Sequence, residues 1–178
     1  MSLVVLASSL AGRTPPGVKD SDTANSAWWA RPGYCLVEHN VGKMALAVTN
    51  FGQFGVGSSS RYDCITRHMI QSCEYPKESR TKYLYSGELW VGAILDGDTL
   101  VTTGVGEFSP APSPEGLPDH FSTMDPALPA YEGAISEQDY VVVYSDTCVR
   151  CTSGQDGLDS RPHRPLGIEV RCRSMAWS

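Results

Sequence analysis

An all-β domain, antiparallel and sandwich-like with long Pro/Gly-rich loops, is the fold class this sequence predicts. First, 17 glycines and 12 prolines punctuate 178 residues of which only 19% are charged, so turns are frequent and runs between them short. Second, no window of a dozen residues carries a clean 3.6-residue apolar period, which leaves little room for amphipathic helix. Third, Leu89–Leu95 and Asp98–Thr103 are β-prone runs joined by Asp96-Gly97, the strongest short-range hairpin signal in a sequence. The length suits one domain with a core of its own. The formal net charge of −6 argues against a phosphate-binding surface, which needs clustered Lys and Arg, and so against nucleic acid.

The chain opens on an apolar segment, Leu3–Leu6 with Leu10, and Ser9-Leu10-Ala11 fits a signal-peptidase pattern. No Lys or Arg precedes it. Residues 1–11 therefore read as a truncated signal peptide, the alternative being an ordinary apolar start. No later run approaches the length of a membrane-spanning helix. Residues 12–30 are polar, Pro-containing and aperiodic, a flexible leader. Trp28 and Trp29 close it, either as a plug over the core or as an exposed aromatic platform. The single β domain then covers residues 31–178.

Tyr34–His39 predicts the first strand and Lys43–Asn50 the second, joined by a tight turn at Asn40-Val41-Gly42. Met44, Leu46 and Val48 alternate with small residues, the pattern of a half-buried strand. The 50–60 segment is rich in Gly and Ser but lacks the Lys and following helix of a phosphate loop. A short run at Lys82–Tyr85 precedes the hairpin. In its first arm both faces are apolar, which predicts a central strand covered on each side. The hairpin then reads as scaffold, with function sought in the loops at 50–63, 106–135 and 146–165.

From Ser109 to Ala130 there are six prolines in 22 residues, which predicts a long loop of polyproline II character and no regular ladder. Ser136–Asp139 has capping-box spacing and predicts one helical turn before a strand at Tyr140–Ser145 buried on both faces. The last strand is Leu166–Trp177, with Ile168, Val170 and Cys172 facing the core and Glu169, Arg171 and Arg173 facing out. It runs to the last residue, which suggests a gene product that continues.

Six cysteines in an acidic, mainly β chain point to an oxidising compartment. Fifteen pairings are open; proximity favours Cys64–Cys73, then Cys148–Cys151 in the single CxxC, leaving Cys35 and Cys172 to tie the first strand to the last. Zinc would need His163 and Cys172 added to the CxxC at irregular spacing. Asp146, Asp156 and Asp159 are oxygen donors that calcium could take, but the alternating spacing of a calcium loop is absent and the segment reads first as a solvated loop. His39, His68, His120 and His163 lie in unrelated contexts. With no nucleophile elbow, no metalloprotease motif and no distinguished carboxylate pair, the residues mark no catalytic site and no required cofactor.

Four phrases in order, MALAVTNFGQFG at 44–55, YLYSGELWVGAILDGDTLV at 83–101, SEQDYVVVYSDT at 136–147 and RPHRPLGIEVRCRSMAWS at 161–178, resemble the N-terminal region of large secreted bacterial proteins of unknown function. Those proteins often continue into immunoglobulin-like modules and a C-terminal sorting signal. The resemblance covers residues 31–178 and implies export and a surface or extracellular location; it brings no catalytic residues. The expectation is a non-catalytic structural or adhesive module that pairs strands, foremost Leu166–Trp177, with downstream domains or other copies. A carbohydrate-binding module stacking sugars on Trp28, Trp29 or Trp90 is the alternative, and a hydrolase a third class.

Overall fold

The structure, a computed structural model, describes residues 2–9, 33–56, 61–104, 106–110, 118–124, 133–148 and 161–178. Its elements are strands throughout: β1 (Ser2–Ser9), β2 (Leu36–His39), β3 (Ala45–Thr49), β4 (Gln53–Phe54), β5 (Arg61–Tyr62), β6 (Met69–Ile70), β7 (Cys73–Glu74), β8 (Gly87–Glu88), β9 (Trp90–Leu95), β10 (Asp98–Thr103), β11 (Ser109–Pro110), β12 (Asp119–Phe121), β13 (Gln138–Ser145) and β14 (Ile168–Ala176). Every pairing is antiparallel. The all-β expectation holds.

Two five-stranded sheets carry the core. In the first, β14 lies between β1 and β13, and β11 and β12 pair with the other side of β13. In the second, β3 lies between β2 on one side and β4 and β7 on the other, and β8 extends β4. Tyr140 of the first sheet packs with Val37, Leu46 and Val48 of the second. Phe108, Val142, Tyr144, Val170 and Cys172 form a neighbouring cluster, with Leu89 and Val91 against it. Leu36, Ala47, Phe51, Val56 and Ile70 fill the opposite face of the second sheet. β3 is therefore buried on both faces, where alternation with small residues predicted half burial; Ala45 and Ala47 are small because a second layer covers them.

Several expectations need correcting. The capping-box residues form no helical turn: Asp139, already in β13, accepts hydrogen bonds from the amides of Ile135 (2.7 Å) and Ser136 (3.0 Å). The carboxylate reaches back to close a turn before a strand, a job that suits Asp as well as a helix cap does. The Pro-rich stretch does contribute ladder pairs, β11 and β12, two short strands that cover the edge of β13 at its two ends. Short strands carrying Pro are a common way to finish a sheet. Lys82 makes one isolated bridge to Glu74 and the 82–85 run forms no strand. Residues 111–117 and 125–130 of the predicted loop lie outside the described residues.

The largest corrections concern β9 and β14. The Asp96-Gly97 turn is as predicted, with φ of +54° and +89°, both in the left-handed region that a type I′ turn requires. The strand before it is not central. β9 and β10 form a two-stranded sheet of their own, and most of β9 is exposed. Its two apolar faces predicted two covering layers, yet only Leu89 and Val91 reach the core. Conversely β14, expected as an open edge, is paired along both sides, by β1 and by β13. Its inward set is as predicted, with Val170 and Cys172 buried. Residues 2–9, read as part of a truncated signal peptide, supply the strand on its far side.

Candidate functional site

The hairpin is held at its base and bare at its face. Thr102 in β10 is fully buried and its Oγ1 donates to Asp146 Oδ2 at 3.0 Å. The same carboxylate accepts from the amides of Leu166 (2.5 Å) and Ile168 (2.8 Å), tying the hairpin to the approach to β14. Glu107 Oε2 accepts from the Thr103 amide at 2.5 Å, and its Oε1 lies 3.6 Å from His163 Nδ1. At the tip, the Arg164 guanidinium bridges Asp96 and Asp98. Gly104 lets the strand pass against Gly52, since a Cβ there would stand 2.4 Å from the Gly52 carbonyl oxygen.

Beyond this clamp, Trp90 is 61% and Ile94 77% exposed. Both side chains lie on one face of β9, two pleat repeats apart. The indole Nε1 of Trp90 donates to Glu88 Oε2 at 3.3 Å, which fixes the ring beside a carboxylate. Tyr83 and Tyr85 are also exposed; the ring of Tyr83 meets Tyr75 edge-on, 6.3 Å between centroids at 73°. From Leu89 to Leu95 there is no charged residue and no proline.

The residues singled out in the sequence fall into different places. Trp90 is exposed; Trp28 and Trp29 lie outside the described residues. Asp146, a candidate oxygen donor for calcium, is buried with its oxygens taken by Thr102, Leu166 and Ile168, while Asp156 and Asp159 lie outside the described residues. Among the described residues no group of three or more His, Cys, Asp or Glu is placed to hold a metal ion. His163 faces Glu107 and Cys172 lies in the core beside Val142; Cys151 of the CxxC lies outside the described residues.

The cysteine pairing differs from expectation. Cys35 is bonded to Cys64, with Cα atoms 5.6 Å apart, and Cys73 and Cys172 are free and buried. The Cys64 amide donates to the Leu36 carbonyl at 2.9 Å, which sets Cys64 beside the start of β2. Cys73, on β7, sits across from Leu46 on the other side of β3. Proximity in sequence is thus outranked by sheet topology. Cys148 is disulfide-bonded; its expected partner Cys151 lies outside the described residues.

One Ser–His contact occurs in the described residues: His39 Nε2 and Ser174 Oγ are 2.8 Å apart across the two sheets. Both residues are about 1% exposed, and His39 Nδ1 has no partner. A nucleophile there would have no accessible face and no carboxylate orienting the ring. The pair reads as an internal polar staple, beside Gln138, which accepts from the Asn40 amide at 2.8 Å and donates to Glu38 O at 3.1 Å. Ile94 and Glu88 were not singled out from the sequence. The missing charge along 89–95 was the available signal, and it reads equally well as burial. No protein-family model, no curated protein and no solved structure matches the chain.

Proposed function

We propose that the chain is a non-catalytic structural or adhesive module of a secreted bacterial surface protein, and that it joins its partner through β9 of the hairpin. The observation that carries this reading is the exposed, uncharged outer strand with Trp90 and Ile94 on one face. Sheet edges in proteins that stay apart are blunted by charge, proline or a cover, and β9 has no charge or proline between Leu89 and Leu95. A two-stranded ribbon is also marginal by itself in water and gains from further strands. The partner is another copy or the following module, pairing along β9. Export rests on the resemblance above and is supported by the Cys35–Cys64 disulfide.

Sedimentation across a concentration series tests the reading. Wild-type protein is expected to self-associate, and Ile94→Lys to weaken association at least tenfold while melting within a few degrees of wild type. A wild type that stays monomeric at every concentration, with the variant indistinguishable, would overturn the self-pairing form.

Carbohydrate binding is a second reading, favoured by the Trp90 ring beside Glu88, since indole faces stack on sugars and carboxylates accept from their hydroxyls. It expects Trp90→Ala to abolish retention on a glycan surface and Ile94→Lys to preserve it. Silence of the wild type across a broad glycan array would remove it.

A further inference from the structure

We propose that the gap between the two sheets is a binding site for one small apolar molecule with a neutral or cationic head. A cavity of about 240 Å³ lies there, its floor made by Leu46 and Val48 of one sheet and Tyr144 and Cys172 of the other. These four are buried. Half-buried Gln53, Phe54, Glu88 and Leu89 complete the lining with buried Thr49 and Gly52. Protein interiors leave few voids larger than a water molecule, and an apolar cavity of about 150 Å³ is already enough to take benzene while staying dry. At roughly 30 Å³ for each water-sized group, this one takes a molecule of about eight heavy atoms.

The lining is mostly apolar with one charged residue, Glu88, a composition that buries a tail and orients a head. The Glu88 carboxylate opposes an anionic head such as that of a fatty acid, and favours an amine or an alcohol. Because Glu88 also accepts from Trp90 Nε1, an occupant at Glu88 would lie against the base of the exposed hairpin. Glu88 is shared with the Trp90 face, but Leu46, Val48, Tyr144 and Cys172 are not, so shifts of those four amides are read independently of the function proposed above.

Hexylamine, 1-hexanol and hexanoate, titrated at pH 7 into the isotopically labelled full chain, form the test. Hexylamine is expected to shift the amides of Leu46, Val48, Tyr144 and Cys172 at a concentration at least tenfold below that required by hexanoate. Glu88→Gln should bring amine and carboxylate within about threefold of each other and leave hexanol unchanged. Cys172→Phe, which fills the floor, should abolish all three responses. Two results overturn the proposal: no shift of the floor amides by any probe, which makes the gap a packing defect, or hexanoate binding as well as hexylamine in wild type. The wild-type titrations decide it even where a variant fails to fold.

Discussion

The imidazole of His39 sits between the sheets, 2.8 Å from Ser174 Oγ and with its ring 5.0 Å from that of Tyr140. Burial pushes its pKa down from 6.5 to about 4, against the upward pull of Gln138 and Asp139. A free chain keeps its histidine near the ordinary value. Between pH 6.5 and 4 the unfolded state therefore takes up a proton that the folded state refuses, and stability falls as pH falls through that window. The full loss is about 3 kcal/mol. Urea midpoints at pH 7 and pH 4.5 measure it, and His39→Gln should flatten the difference; an unchanged slope in that variant would assign the acid sensitivity elsewhere. Asp139 acts in a different window. Burial raises its pKa, but the hydrogen bonds from Ser136, Arg173 and the Ile135 amide outweigh this and the net shift is downward. Its contribution is lost only as pH drops below the ordinary carboxylate value. Neither role was legible in the sequence. His39 is separated from Ser174 by 135 residues, and nothing local distinguishes a buried histidine from an exposed one.

Turns are fixed by local φ and ψ, so the β9–β10 hairpin could be read from Asp96-Gly97 alone. Burial of the hairpin could not, because it depends on which sheet the strand joins. An apolar run covered by two layers and one left bare have the same composition. The cysteines make the same point. The 64–73 spacing suggested a local loop, whereas the bond closes a loop of 29 residues between Cys35 and Cys64. On loop entropy that crosslink is worth about 3.5 kcal/mol, so Cys35→Ser with Cys64→Ser should lower unfolding stability by roughly 2–4 kcal/mol. A thiol titration of the denatured, unreduced chain is expected to find free thiols at Cys73 and Cys172 and none at Cys35 or Cys64. Six would reject the disulfide assignment and with it the main support for an oxidising compartment. A local Cys64–Cys73 bond would instead yield a free Cys35, which peptide mapping distinguishes.

At the scale of the molecule, fold class followed from turn density and the lack of helical period, but strand order did not. The order β1–β14–β13 places residues 2–9 beside residues 168–176, a pairing across nearly the whole chain that no local pattern encodes. It moves the last strand from the rim of the sheet to its interior. β14 carries eight register pairs with β1 and eight with β13, so its amides are hydrogen-bonded toward both neighbours. Val170, Cys172 and Ser174 lie on its buried inner face. β9 has one partner strand and an exposed face. Native-state hydrogen exchange separates these environments, since protection follows the free energy of the opening that frees each amide. The amides of β14 from Val170 to Met175 should exchange among the slowest in the chain. Those of β9 that point away from β10 should exchange orders of magnitude faster and slow on self-association. If β14 exchanged as fast as the outer amides of β9, its far side would be open, and the strand at the end of the chain would again be the surface on which a partner adds.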